Sequence, residues 1–293
     1  MIKERGSGKV ILFGEHFVVY GVPGIAAGID RGVEVSVKES SEDKIVGEWN
    51  TEGTRKAVDA IKKKMGIEGH IEIGVKEEIP TKAGLGASAA FSVGLTKAVA
   101  KLFNKKIEEE EVFSTSLEAE KIYHGNPSGI DNAAATYGGL IKFIKGKGIE
   151  RLDIGKELNI VVSFTGKKGS TKELVEGVKK VKERNEGVFE KLLSSYVELY
   201  KEGENALKQG NIEKIGELMN INHGLLSAIG VSTKENEEVA HIAREEGALG
   251  SKITGAGGGG CNIALVRDES EAGELAHKLE RRGFRSFPAR IGG

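Results

Sequence analysis

Pro80-Thr81-Lys82-Ala83-Gly84-Leu85-Gly86-Ala87-Ser88-Ala89-Ala90 runs two closely spaced glycines straight into a series of small residues. Beyond it, Ser88 to Phe103 sets Ala89, Phe91, Val93, Leu95, Ala98, Val99 and Leu102 at the spacing of a largely buried helix. Glycines let backbone come close to a ligand, and the unpaired N–H groups of a helix's first turn, reinforced by its dipole, attract anions. A polyphosphate fits such a junction; a tight turn would use the same residues. The Gly-x-x-x-x-Gly-Lys-Ser/Thr pattern is missing, as is a Gly-x-Gly-x-x-Gly fingerprint after a strand, so ordinary P-loop and dinucleotide folds lose support.

On either side of this junction, helix and strand signals interleave. Gly8 to Phe13 reads as a buried strand ending at Gly14, and Val33 to Lys38 alternates as a half-buried one. Thr54 to Met65 is a helix with Ala57, Val58, Ile61 and Met65 on one face, and Ile71, Ile73 and Val75 form a strand that stops before Pro80. A second helix spans Glu108 to Tyr123. The pattern relaxes between Gly146 and Gly155, which suggests a boundary between residues 1–155 and 156–293. Beyond it lie a strand, Ile160 to Phe164, and two long amphipathic helices, Thr171 to Glu202 and Ala206 to Leu226. The chain then alternates helix Asn236–Glu246, strand Ser251–Thr254, a glycine loop, strand Asn262–Val266, helix Ser270–Arg281 and a final strand. The fold class is α+β, in two domains.

The 293 residues carry 43 Lys plus Arg against 44 Asp plus Glu, so no global field draws the chain to nucleic acid or an anionic membrane. Aromatic residues, at 5%, are too few for base-stacking platforms. The single cysteine, Cys261, cannot form an internal disulfide and fits a reducing compartment, so the expected location is cytoplasmic. Neither a signal-peptide run at Met1–Arg5 nor a bilayer-length apolar stretch is present in the sequence.

Two further segments complete a constellation: Gly8-Lys9-Val10-Ile11-Leu12-Phe13-Gly14-Glu15-His16-Phe17-Val18-Val19-Tyr20-Gly21, and Ser251-Lys252-Ile253-Thr254-Gly255-Ala256-Gly257-Gly258-Gly259-Gly260-Cys261. With the glycine loop these resemble, in order and spacing, the three signature segments of the GHMP kinases (galactokinase, homoserine kinase, mevalonate kinase and phosphomevalonate kinase). Lys9 to His16 followed by Val18-Val19-Tyr20-Gly21, and His124-Gly125-Asn126-Pro127-Ser128-Gly129-Ile130-Asp131-Asn132, are similar to the mevalonate kinases in particular, as is Ser170 to Val175. The resemblance covers the whole chain. It implies a ribosomal-S5-like N-terminal domain that binds ATP and a ferredoxin-like, helix-covered C-terminal domain. It further implies ATP and mevalonate as substrates, Mg2+ as cofactor and a homodimer as the assembly.

Carried over residue by residue, the resemblance implies that Lys82, Ala83, Gly84, Leu85, Gly86, Ala87 and Ser88 wrap the ATP phosphates. Ser88 and Glu120 would hold Mg2+, an ion that prefers hard oxygens and commonly takes one or two protein groups besides phosphate and water. Without the resemblance, Ser88 reads as a helix cap and Glu120 as one more surface charge. Asp131 and Lys9 would face the acceptor hydroxyl, either with Asp131 removing its proton or with Lys9 orienting it and lowering its pKa. Glu15, His16, Thr171 and Gly257 match positions around the acceptor. Two departures from the family pattern are Ala87, where many relatives carry a serine, and Lys82, where a glycine is frequent. A sibling kinase with another acceptor and a catalytically silent nucleotide-binding regulator on the same fold are the competing readings.

Overall fold

The structure, a computed structural model, describes all residues except Lys82, Asn126, Lys168 and Gly293. Contacts divide the chain into two compact units, Met1–Lys9 with Gly28–Gly138, and Val10–Ala27 with Gly139–Gly293. Two long strands, β1 (Ile2–Phe13) and β2 (Gly24–Glu39), contribute residues to both.

In the first unit β1 pairs with β2, and β2 pairs antiparallel with β4 (Ile71–Glu77), Val33 opposite Glu77 and Glu39 opposite Ile71. The two-residue strand β3 (Lys44–Ile45) adds to β4 in parallel. Among the described residues this unit has the helices α1 (Glu52–Met65), α2 (Ala87–Leu102), α3 (Glu109–His124) and α4 (Ile130–Tyr137). Helix α1 shows why its residues stop where they do. The Thr51 hydroxyl accepts from the Thr54 N–H at one end, and Gly66, in the left-handed region, closes the other. Ala57, Val58, Ile61 and Met65 are the face it buries.

Helix α2 is apolar nearly all round and sits directly on the sheet. A Cβ at Gly6 of β1 would stand 2.0 Å from the Ala90 carbonyl oxygen, so backbone meets backbone there without side chains between. Gly6→Val should therefore destabilise the protein by about 3 kcal/mol or more, because neither carbonyl nor strand can retreat. Denaturant unfolding of the variant measures this, and a loss under about 1 kcal/mol would mean the helix can slide outward.

In the second unit a four-stranded antiparallel sheet runs in the order β10 (Arg285–Ile291), β7 (Leu158–Phe164), β9 (Cys261–Val266), β8 (Gly250–Thr254). Strand β9 is buried along its whole length, as a near-continuous apolar strand should be when covered on both faces. Its helical cover includes α8 (Lys234–Glu245) and α9 (Glu269–Arg281), whose Val239, Ile242, Leu275 and Leu279 pack with Val161 and Ala264. A hairpin of β5 (Leu140–Ile144) and β6 (Gly148–Leu152) occupies the stretch whose sequence pattern relaxes, and β5 pairs with Gly24–Ala27 of β2.

The two long amphipathic helices expected between residues 171 and 226 are three: α5 (Thr171–Arg184), α6 (Glu186–Gln209) and α7 (Ile212–Ala228). Asn185, at φ −137°, breaks the first expected helix, and left-handed Gly210 followed by the cap Asn211, which accepts from the Lys214 N–H, separates the next pair. Amphipathic periodicity continues through Asn185 and does not reveal that break, while the break expected between Glu202 and Ala206 lies inside α6, which runs on to Gln209.

Candidate active site

Gly86, at φ 72°, is the residue from which α2 starts, and its left-handed turn points the first-turn N–H groups of Ala87, Ser88 and Ala89 at the loop. Any other residue there is strained, although a Cβ would find ordinary contact distances to Lys9 and Asp131. Lys9 binds this loop twice. Its N–H donates to the Leu85 carbonyl at 2.8 Å, and its ammonium reaches the Gly84 carbonyl at 3.4 Å. The same ammonium lies 3.1 Å from Asp131 Oδ1, with the lysine side chain 8% exposed and the aspartate 41%. The carboxylate is thus the open member of the pair.

Asp131 is in the first turn of α4. The neighbouring Asn132 is buried and donates to the Ser116 hydroxyl of α3 at 3.1 Å, which fixes α4 against α3. On α3 itself Val112, Ser116, Ala119 and Glu120 share the buried face. Glu120 is a charge on an inward stripe, and its side chain is 2% exposed. The Ser88 hydroxyl donates to Glu120 Oε2 at 3.2 Å and lies 3.3 Å from His124 Nε2, one helical turn along. Burial pushes the Glu120 carboxyl up to about 7; the Ser88 hydrogen bond opposes this and the nearby Asp131 charge adds to it. Glu120 Oε1 is buried with no hydrogen-bond partner among the described residues.

A cavity of about 500 Å³ collects these groups: Gly84 to Ser88, His124 and Asp131 line one part, and Trp49, Thr51, Thr54 and Tyr123 line another. Trp49 is held by stacking on Phe91 at 4.7 Å between ring centres and by donating to Glu77 at 2.6 Å. Phosphate-loop backbone and the Asp131 carboxylate next to aromatic and threonine side chains suit a ligand with a polyanionic end and a flat apolar end.

In the second unit, Glu15 forms an ion pair with Lys252 of β8 in which both side chains are 0% exposed. His16 is buried, and its Nε2 lies 2.7 Å from the Ala256 carbonyl. Gly257 belongs to the glycine run between β8 and β9, where a Cβ would stand 2.4 Å from the Val231 carbonyl oxygen. Asn236, fully buried, accepts from the Gly259 N–H and donates to its carbonyl, both at 3.0 Å, so this run is clamped. Thr171 is exposed at the first position of α5.

Comparison with known proteins agrees with these segments. The families described as "GHMP kinases N terminal domain" and "GHMP kinases C terminal" match residues 53–139 and 204–285. A mevalonate kinase of Thermococcus sibiricus is 36% identical, across 92% of this chain and 91% of its own length. The chain belongs to the mevalonate kinase family of the GHMP kinases. A Pyrococcus furiosus mevalonate kinase is 39% identical over 88% of this chain and 87% of its own. The crystal structure of L. major mevalonate kinase in complex with R-mevalonate superimposes with a TM-score of 0.90 at 30% identity, covering 99% of this chain and 95% of that one. The two-domain GHMP kinase architecture is the fold.

Within this GHMP kinase the structure brings Lys9, Gly84 to Ser88, Glu120 and Asp131 together in the first unit. Ala83 is buried at the base of the loop, and Lys82 lies outside the described residues. Glu15, His16 and Gly257 are neighbours in the second unit, linked through the Lys252–Ala256 segment. Sequence reasoning missed His124 and the Trp49, Thr51, Thr54 and Tyr123 wall. For His124 a signal existed: it follows Glu120 by four residues and so shares its helix face. For the wall none did, because its members converge from α1, α3 and the segment before α1.

Proposed function

We propose that the chain is an ATP-dependent mevalonate kinase, moving the γ-phosphoryl group of ATP to the primary hydroxyl of mevalonate to give 5-phosphomevalonate for isoprenoid biosynthesis. The observation that carries the proposal is the phosphate loop and Asp131 lining one cavity, with Lys9 paired to Asp131 and to the Gly84 carbonyl and Glu120 hydrogen-bonded by the loop's Ser88. Phosphoryl transfer asks for in-line positioning and for cations around developing charge, with little covalent work by the protein. Residues 83–88 supply the backbone donors for the ATP phosphates. Asp131, the exposed member of its pair, accepts the acceptor's hydroxyl proton, and Lys9 holds that carboxylate and the Gly84 turn in register. Of the residues expected around the acceptor, His16, Thr171 and Gly257 are the proposed contacts, and the sealed Glu15 stands behind them.

The residues present fit Mg2+. A buried carboxylate oxygen of Glu120 lacks a partner, the Ser88 hydroxyl is beside it, and no group of three His, Cys, Asp or Glu gathers as a metal cage among the described residues. One carboxylate and one hydroxyl suit an ion that completes its shell with phosphate oxygens and water. Bound there, Mg2+ would neutralise charge on the β- and γ-phosphates. No helix among the described residues is long and apolar enough to cross a membrane. The proposed setting is the cytoplasm, and the proposed assembly a homodimer.

The experiment is ADP release with MgATP and a panel of mevalonate, galactose, homoserine and phosphomevalonate. Turnover with mevalonate alone is the expected result. Turnover on another member moves the specificity, and ATP binding without turnover on any would replace the kinase with a regulator.

A further inference from the structure

We infer that Glu15 and Lys252 form a positioning pair that fixes His16 for the acceptor, with neither charged side chain touching the acceptor itself. This rests on the acceptor-binding role proposed for His16. Strand β1 ends at Phe13, the chain turns at Gly14, and Ile11 to His16 is then fastened to Lys252 to Ala256 along its length. The Ile11 N–H donates to Thr254 Oγ1 at 2.7 Å, the Lys252 ammonium donates to the Ile11 carbonyl at 3.4 Å and to the Glu15 carboxylate, and His16 Nε2 meets the Ala256 carbonyl at 2.7 Å. The third ammonium hydrogen goes to the Ile253 carbonyl at 2.6 Å. An ammonium has three donors, and here all three are committed. The pair therefore acts as a tripod whose feet are on β1, on β8 and on the residue before His16.

Two consequences follow. First, side chains that are 0% exposed present no atom to a solute, so Glu15 serves the acceptor through its neighbour. Second, a carbonyl oxygen only accepts, so the His16 nitrogen facing Ala256 must carry a hydrogen. Burial also disfavours the charged ring. His16 is thereby set as the Nε2–H tautomer, with Nδ1 as the ring's acceptor for a hydroxyl-bearing ligand.

A merely structural pair would give a different result on exchange. Replacing both members of a buried ion pair by apolar residues of similar size is often tolerated, whereas removing one strands a buried charge. The test is thus the double variant Glu15→Leu with Lys252→Met, read by thermal unfolding, by the KM values for mevalonate and for ATP, and by the nitrogen shifts of 15N-labelled histidine, assigned with His16→Gln. The expected outcome is a folded protein whose mevalonate KM rises about tenfold or more while the ATP KM stays within about twofold, and whose His16 ring samples both tautomers. A folded double variant with the wild-type mevalonate KM and a single His16 tautomer overturns the proposal. Should the double variant not fold, Glu15→Asp keeps both charges but shortens the tie. The same split of KM values supports the pair's role, and unchanged values end it. Absence of mevalonate turnover in the wild-type protein would sink the functional reading alone, since the histidine spectrum still reports whether the pair sets His16.

Discussion

Asp131→Asn should lower kcat by about a thousandfold, with the KM for ATP changed little. The substitution keeps the shape of the side chain and its place at the start of α4 but removes the basic oxygen beside Lys9. General-base assistance by a positioned side chain contributes about 10²–10⁴-fold. Lys9→Met should cost a comparable factor in kcat and also weaken ATP. Its ammonium holds the Gly84 carbonyl at 3.4 Å as well as Asp131 at 3.1 Å, so its loss loosens the loop as well as the pair. Because the two residues act as one unit, the double variant should be scarcely worse than the poorer single one. Steady-state kinetics on the three variants decides this. An Asp131→Asn enzyme within tenfold of wild type would place the reacting hydroxyl elsewhere.

Glu120→Gln should produce the opposite changes in stability and activity. In the folded, metal-free protein burial raises the Glu120 carboxyl from 4.5 to about 7. A group whose folded pKa is raised contributes stability that is fully present below its unfolded value and is lost as pH rises through the folded one. The window here runs from about 4.5 to about 7. The loss amounts to about 3 kcal/mol, and little screening applies to so buried a side chain. The amide carries no charge, so the variant should be the more stable protein at pH 8 and should show none of this pH dependence. Without the carboxylate its Mg2+-dependent turnover should fall by about 10²-fold or more. Urea unfolding at pH 5 and pH 8, beside turnover over a Mg2+ titration, checks both halves. Equal pH dependence in the two proteins would mean Glu120 is ionised in the fold throughout.

Much of the first unit was legible because its signals are local. Helix α2 begins one residue from the expected Ser88, and α3 is displaced by one residue from the expected Glu108–Tyr123. Small residues after paired glycines, and apolar residues at helical spacing, are properties of short windows. The break at Asn185 and the hairpin of β5 and β6 were not legible. Amphipathic periodicity survives one irregular residue, and a short polar strand such as Gly148–Leu152 becomes a strand only through its partner. Likewise, the chain passes from one compact unit to the other after Lys9, Ala27 and Gly138, which no local pattern marks. A scan along the chain registers instead a change of pattern near residue 155.

The α+β class and the family are legible in the residues alone, since helical and strand periodicities and the signature segments are written as contiguous residue types. Folding decided environment. It made Lys9 the closed member of its pair and Asp131 the open one, turned Glu120 from an expected surface charge into a buried acid whose pKa is raised to about 7, and sealed Glu15 against Lys252, 237 positions away. These outcomes depend on burial and on which dipoles and charges are brought within a few ångströms. Such distances are set by the packing of distant segments and are not recorded in any short stretch of sequence.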